Sequence, residues 1–136
     1  MDRTHEEKLS HISDLIRISK IDGDESHMEL NFINYVADRL GVSRKEVQDI
    51  YQGKLNIKFK TPKHENQVID QFHRIVLLVG IDKMITKEEL ELCFQLGVKM
   101  GLNYNAIMEV LKKTMSNPAF IMQKKEMEGI FNKYRN

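Results

Sequence analysis

The densest chemistry in the chain lies in ten residues, Lys20-Ile21-Asp22-Gly23-Asp24-Glu25-Ser26-His27-Met28-Glu29. Hard divalent cations take oxygen donors, above all carboxylates. Asp22, Asp24, Glu25 and Glu29, with His27 as a nitrogen donor, are therefore the candidate ligands of a weak Ca²⁺ or Mg²⁺ site. The same acidic surface suits a basic protein partner. A structural role competes with both. Ser26 and Glu29 have the spacing of a capping box, in which a hydroxyl and a carboxylate satisfy free amides at a helix start. Asp22 can bond turn amides, and Asp24 and Glu25 suit the positive end of the helix that follows.

An EF-hand loop is the natural comparison, and it fails. With Glu29 at the last ligand position, the first and third positions hold Ile18 and Lys20, whose side chains cannot ligate. The other reactive residue types are scattered. His11 and Asp14 stand three apart on one predicted helix. His64 and His73 do not have the four-residue spacing of a zinc-binding helix pair. Cys93 falls on an apolar helix stripe and reads as a core thiol. No nucleophile elbow, phosphate-binding glycine loop or dinucleotide fingerprint is present. An enzyme would have to work through Asp and His residues, with His27 or His73 beside carboxylates in a deep pocket; the expectation is a non-enzyme. Met100, Met108, Met115, Met122 and Met127 recur in the C-terminal third, either as core fillers or as an adaptable partner groove.

The elements that must position these residues read as helices. A chain of 136 residues is one domain, and 21 basic against 20 acidic residues give no general pull toward nucleic acid or an anionic membrane. One cysteine excludes an internal disulfide, and no apolar run is long enough to insert into a membrane. The first residues lack an apolar signal core, so the expected location is cytoplasmic. Capping boxes at Thr4–Glu7, Ser26–Glu29, Ser43–Glu46 and Thr86–Glu89 each open an apolar periodicity. A further helix is expected from Thr61-Pro62, whose apolar face makes it the most buried, and others over 103–115 and 118–134. Residues 54–60 alternate with period two and read as an extended connector that pins Leu55, Ile57 and Phe59 on the helices. On the fifth helix the apolar stripe is Leu90, Cys93, Phe94 and Val98.

A shift of sixty positions lays the chain on itself. Ile21-Asp22 falls on Ile81-Asp82, Ser26 on Thr86, Glu29-Leu30 on Glu89-Leu90 and Gly41 on Gly101. The expected architecture is all-α, about seven helices in one domain over 1–136. It comprises two pseudo-symmetric units, about 5–51 and 65–111, and a C-terminal helix over about 118–134.

These motifs resemble the tellurite-resistance TerB family and the related N-terminal domain of the DjlA co-chaperones. The resemblance rests on Ile21-Asp22-Gly23-Asp24-Glu25-Ser26 with Glu29, then Leu40-Gly41, and on their return at Ile81-Asp82, Thr86 with Glu89, and Met100-Gly101. It spans about residues 5–115. It implies an all-helical TerB-like bundle and a stress-response protein-interaction module, metal-linked or associated with a membrane complex, rather than an enzyme. A divalent-cation sensor is the alternative. At Lys83-Met84 this chain departs from the pattern, because the second Asp-Gly turn is lost.

Overall fold

The computed structural model describes residues 4–21, 27–81, 85–117 and 121–135. Within them the chain forms seven helices: α1 (His5–Lys20), α2 (His27–Leu40), α3 (Arg44–Tyr51), α4 (Glu65–Val79), α5 (Lys87–Lys99), α6 (Tyr104–Ser116) and α7 (Lys124–Lys133). None of the described helices is long and apolar enough to cross a membrane. α4, α5 and α6 begin sixty residues after α1, α2 and α3.

Local chemistry sets most of these limits. Thr4 accepts the Glu7 amide at the start of α1. Ser43 with Glu46, and Thr86 with Glu89, close complete capping boxes at α3 and α5. The Ser26 box expected before α2 lies outside the described residues. α2 and α5 are followed by Gly41 and Gly101, whose φ values of 81° and 85° suit a residue without Cβ. The next amides then turn back in the same way, Val42 to the Ala37 carbonyl and Leu102 to that of Gly97. Removing the Thr86 hydroxyl exposes the cost of such a cap. Thr86→Ala is expected to lower stability by about 1–2 kcal/mol, read as a shift in the urea midpoint at unchanged slope.

Two helix starts differ from expectation. α4 begins at Glu65, not at Thr61-Pro62. Pro62 is buried at the end of the connector, and its ring biases Thr61 toward extended backbone, so the first turn forms only beyond His64. α7 begins at Lys124, six residues after 118. Residues 118–120 lie outside the described residues; at 121–123 His73 Nε2 donates to the Met122 carbonyl at 2.8 Å while the Met122 side chain is buried, which holds 121–123 out of the helix.

α1 and α4 pack side by side at the centre, so the burial expected for α4 is shared with α1. α2 and α3 cover α1; α5 and α7 pack on α4, and α6 lies across α5 and α7. The core is continuous across both groups, from Ile12, Leu15 and Ile33 to Phe72, Ile107 and Met127. Gly97 lets α5 approach closely: a Cβ there would stand 2.8 Å from Ile107 Cδ1 and 3.0 Å from Phe72 Cε1. On α5 the buried apolar side chains are Leu92, Cys93 and Leu96, while Leu90 and Phe94 are half-buried and Val98 is exposed. The connector holds Ile57 and Phe59 against the core but leaves Leu55 exposed. Ser10 Oγ accepts the Lys60 amide at 2.9 Å, and the Lys99 ammonium lies over the Phe59 ring, so the connector is tied to both α1 and α5.

Candidate functional site

The acidic turn falls largely outside the described residues: Asp22, Asp24 and Glu25 are among those not described. His27 opens α2 and is exposed, while Glu29, in the same first turn, is buried. Side chains two apart on a helix leave on different sides, so these two do not share a face. Among the described residues no group of three or more His, Cys, Asp or Glu side chains is placed to hold a metal ion. Glu89, sixty positions beyond Glu29, is also buried; its carboxylate accepts the Thr86 amide at 3.0 Å.

A further set of buried polar groups lies along one side of α1. Glu7, Ser10, His11 and Asp14 are all buried there. Their spacing of three and four makes them one helical stripe. Burial pushes the Asp14 carboxyl up to about 7, against the opposing pull of Arg17 on the next turn and Lys99 at the end of α5. His73 faces a smaller cavity of about 220 Å³ between α2 and α4, with Arg74 beside it. Cys93 is fully enclosed, and burial together with nearby Glu89 holds its thiol well above the usual range. That suits a core residue, not a nucleophile.

A groove of about 670 Å³ lies over the α5–α6 hairpin. Leu90 and Phe94 line it from α5, Met108, Leu111 and Met115 from α6, and Tyr134 from the end of α7. The five clustered methionines divide here. Met100, Met122 and Met127 are buried, whereas Met108 and Met115 are 45% and 60% exposed. The reason lies in α6 itself. Ala106, Ile107, Val110 and Thr114 already fill the face turned to the core, so Met108 and Met115 belong to a second apolar stripe with no helix over it. Polar groups border the groove. Glu109 accepts from Lys133 and from the Tyr134 hydroxyl at 2.7 Å, which holds its carboxyl below the usual range.

A second groove of about 460 Å³ occupies the corresponding place on α2–α3. Its Leu30, Asn34, Gln48, Tyr51 and Gln52 stand sixty residues before Leu90, Phe94, Met108, Leu111 and Lys112. Asn34 and Gln48 stand where Phe94 and Met108 stand in the larger groove. The α2–α3 groove is therefore the more polar of the two. The apolar signal was present in the sequence as the seven-residue spacing of Met108 and Met115 with Leu111 between them.

Compared with protein-family models, with curated proteins and with solved structures, the chain matches none.

Proposed function

We propose that this chain is a non-enzymatic protein-interaction domain of TerB-like build, acting in a stress-response assembly, and that the α5–α6 groove is where its partner docks. The observation that carries the reading is the exposed apolar stripe of Met108 and Met115 above Leu90, Phe94 and Leu111. Flexible thioethers repack around different side chains, which suits a binding surface. Two pseudo-symmetric helical units are part of the proposal. The sixty-residue offset of the helix starts, the paired glycines Gly41 and Gly101 and the paired grooves support them. The closure of the α1 stripe favours binding over catalysis: His11 and Asp14 are nearly inaccessible and line neither groove.

The test places a photo-crosslinking amino acid at position 115 of the chain in its native cell, with the same group at position 48 of the α2–α3 groove for comparison. A discrete protein adduct at 115 that is missing at 48 is expected. Adducts at neither position, or the same set at both, would remove the groove from the proposal.

A further inference from the structure

The cavity of about 220 Å³ between α2 and α4 is lined by two arginines and by no carboxylate. Arg39 enters it from the end of α2 and Arg74 from α4. Tyr35, one turn before Arg39, steadies the first: the guanidinium lies 5.7 Å from the ring centroid, and Nη1 donates to the hydroxyl at 3.4 Å. Arg74 is half-buried, and its Nη1 is enclosed with no hydrogen-bond partner among the described residues. Burial lowers its pKa and so does the charge of Arg39, against the pull of Asp70. A guanidinium nevertheless stays protonated. The nearby acids already have cations of their own. Asp70, one turn before Arg74, pairs with Lys124 at 2.7 Å, and Asp38 accepts twice from Arg44, at 2.8 and 3.1 Å. Among the described residues neither Arg39 nor Arg74 forms an ion pair with a carboxylate. His73 gives Nε2 to the Met122 carbonyl, so the two arginines supply the charge of the cavity.

Sixty positions away the same two places are matched in charge. Arg39 corresponds to Lys99 and Arg74 to Asp14, and Lys99 draws on Asp14 there. Between α2 and α4 the acid of that pair is replaced by a second cation. Two cations on one cavity repel, and an oxyanion between them would pair with both. The rest of the wall is largely apolar, with Phe32 and Val36 on α2 and Leu77 on α4. The space equals about seven waters at roughly 30 Å³ each, below the roughly 300 Å³ at which sites for drug-sized ligands begin. It therefore suits a ligand smaller than a nucleotide.

We infer that this cavity binds a small organic oxyanion, a carboxylate or phosphate monoester on a compact apolar body, with the oxyanion between Arg39 and Arg74 and the body against Phe32 and Leu77. The cavity shares no lining residue with either hairpin groove, so the inference stands apart from the docking reading.

The test is isothermal titration calorimetry of the full chain with benzoate, with phenyl phosphate and with uncharged benzyl alcohol. At least one of the two anions should bind saturably, with Kd below about 1 mM, and should raise Tm. Benzyl alcohol should do neither. The tighter anion tells a carboxylate site from a phosphate site. Arg39→Gln and Arg74→Gln should each weaken binding by about tenfold or more, because each removes charge-assisted hydrogen bonds. Lys112→Gln removes one positive charge elsewhere on the surface and should leave binding unchanged. Arg39 is exposed, so its variant decides the matter even if Arg74→Gln disturbs the fold. Absence of binding by both anions, or binding that survives Arg39→Gln, overturns the inference. So does an equal loss in Lys112→Gln. Sulfate binding as tightly as either organic anion would mean an adventitious ion only and overturns it too.

Discussion

Asp14→Asn is expected to make the domain more stable at pH 8 and to flatten its stability below neutrality. A carboxyl in the unfolded chain releases its proton near 4, whereas burial raises that of Asp14 to about 7. Between those values the folded chain keeps a proton that the unfolded chain has lost. Its stability therefore falls as pH rises from about 4 to about 7, and this contribution levels off above. At 1.36 kcal/mol per unit, the largest change the shift allows is about 4 kcal/mol. Arg17 and Lys99 oppose burial and are already included in the raised value. Asparagine keeps the shape and never ionises, so it carries none of this dependence. Urea titrations from pH 4 to 9 should show the two proteins alike near pH 4 and the variant more stable by a few kcal/mol at pH 8. Parallel profiles would assign the slope elsewhere. His11 stands one turn earlier in the same buried stripe and is the control. His11→Gln separates the two.

Phe72→Ala is expected to cost about 3–5 kcal/mol, a large share of the stability of a domain this size. The ring is completely buried, the largest such side chain in the core. It meets Phe131 of α7 edge-on at 6.1 Å and lies against the bare backbone of Gly97 on α5. Its loss leaves a cavity where α4, α5 and α7 meet, and helices pinned to one another cannot close it fully. The empty space beside Gly97 gives a second readout. Gly97→Ala in the native background forces a methyl against Ile107 and Phe72; in the Phe72→Ala background half of that obstacle is gone. The second substitution should cost less there than alone, a coupling measurable by a double-mutant cycle. Equal costs in both backgrounds would mean that Ile107 alone sets the spacing.

How far these features were legible follows from their physics. Helix existence and order were, because caps and apolar spacing are local: Thr4, Ser43 and Thr86 each open a helix as their hydroxyls require. The offset of sixty was visible for the same reason. The starts of α4 and α7 were misplaced where distant residues decide them. The bias of Pro62 on Thr61 is local and was read instead as a helix start, whereas the burial of Pro62 and the His73 bond to the Met122 carbonyl cannot be read from neighbours in sequence. Val98 was read as buried because it is apolar and periodic, but the face it occupies has no neighbour. The acidic turn drew notice through composition, and Asp22, Asp24 and Glu25 lie outside the described residues. The α1 stripe was glimpsed only as the pair His11 and Asp14, since burial of a carboxyl depends on what packs over it. The groove was half legible. The five methionines read either as core fillers or as a partner groove, and which two face outward depends on how α6 meets α5.

The unequal dressing of the two central helices has a kinetic meaning. α4 is enclosed by α1, α5 and α7, whereas α2 and α3 are attached chiefly to α1 and to each other. Opening the first hairpin breaks one main seam; opening the second breaks several. Lifting α2 and α3 while α4 to α7 stay assembled is therefore one local opening the packing allows. Amide protons of the first hairpin then exchange with solvent through a local event, and those of α4 only when the whole domain unfolds. The α5–α6 groove sits on the part that stays closed in that opening, so its shape survives it.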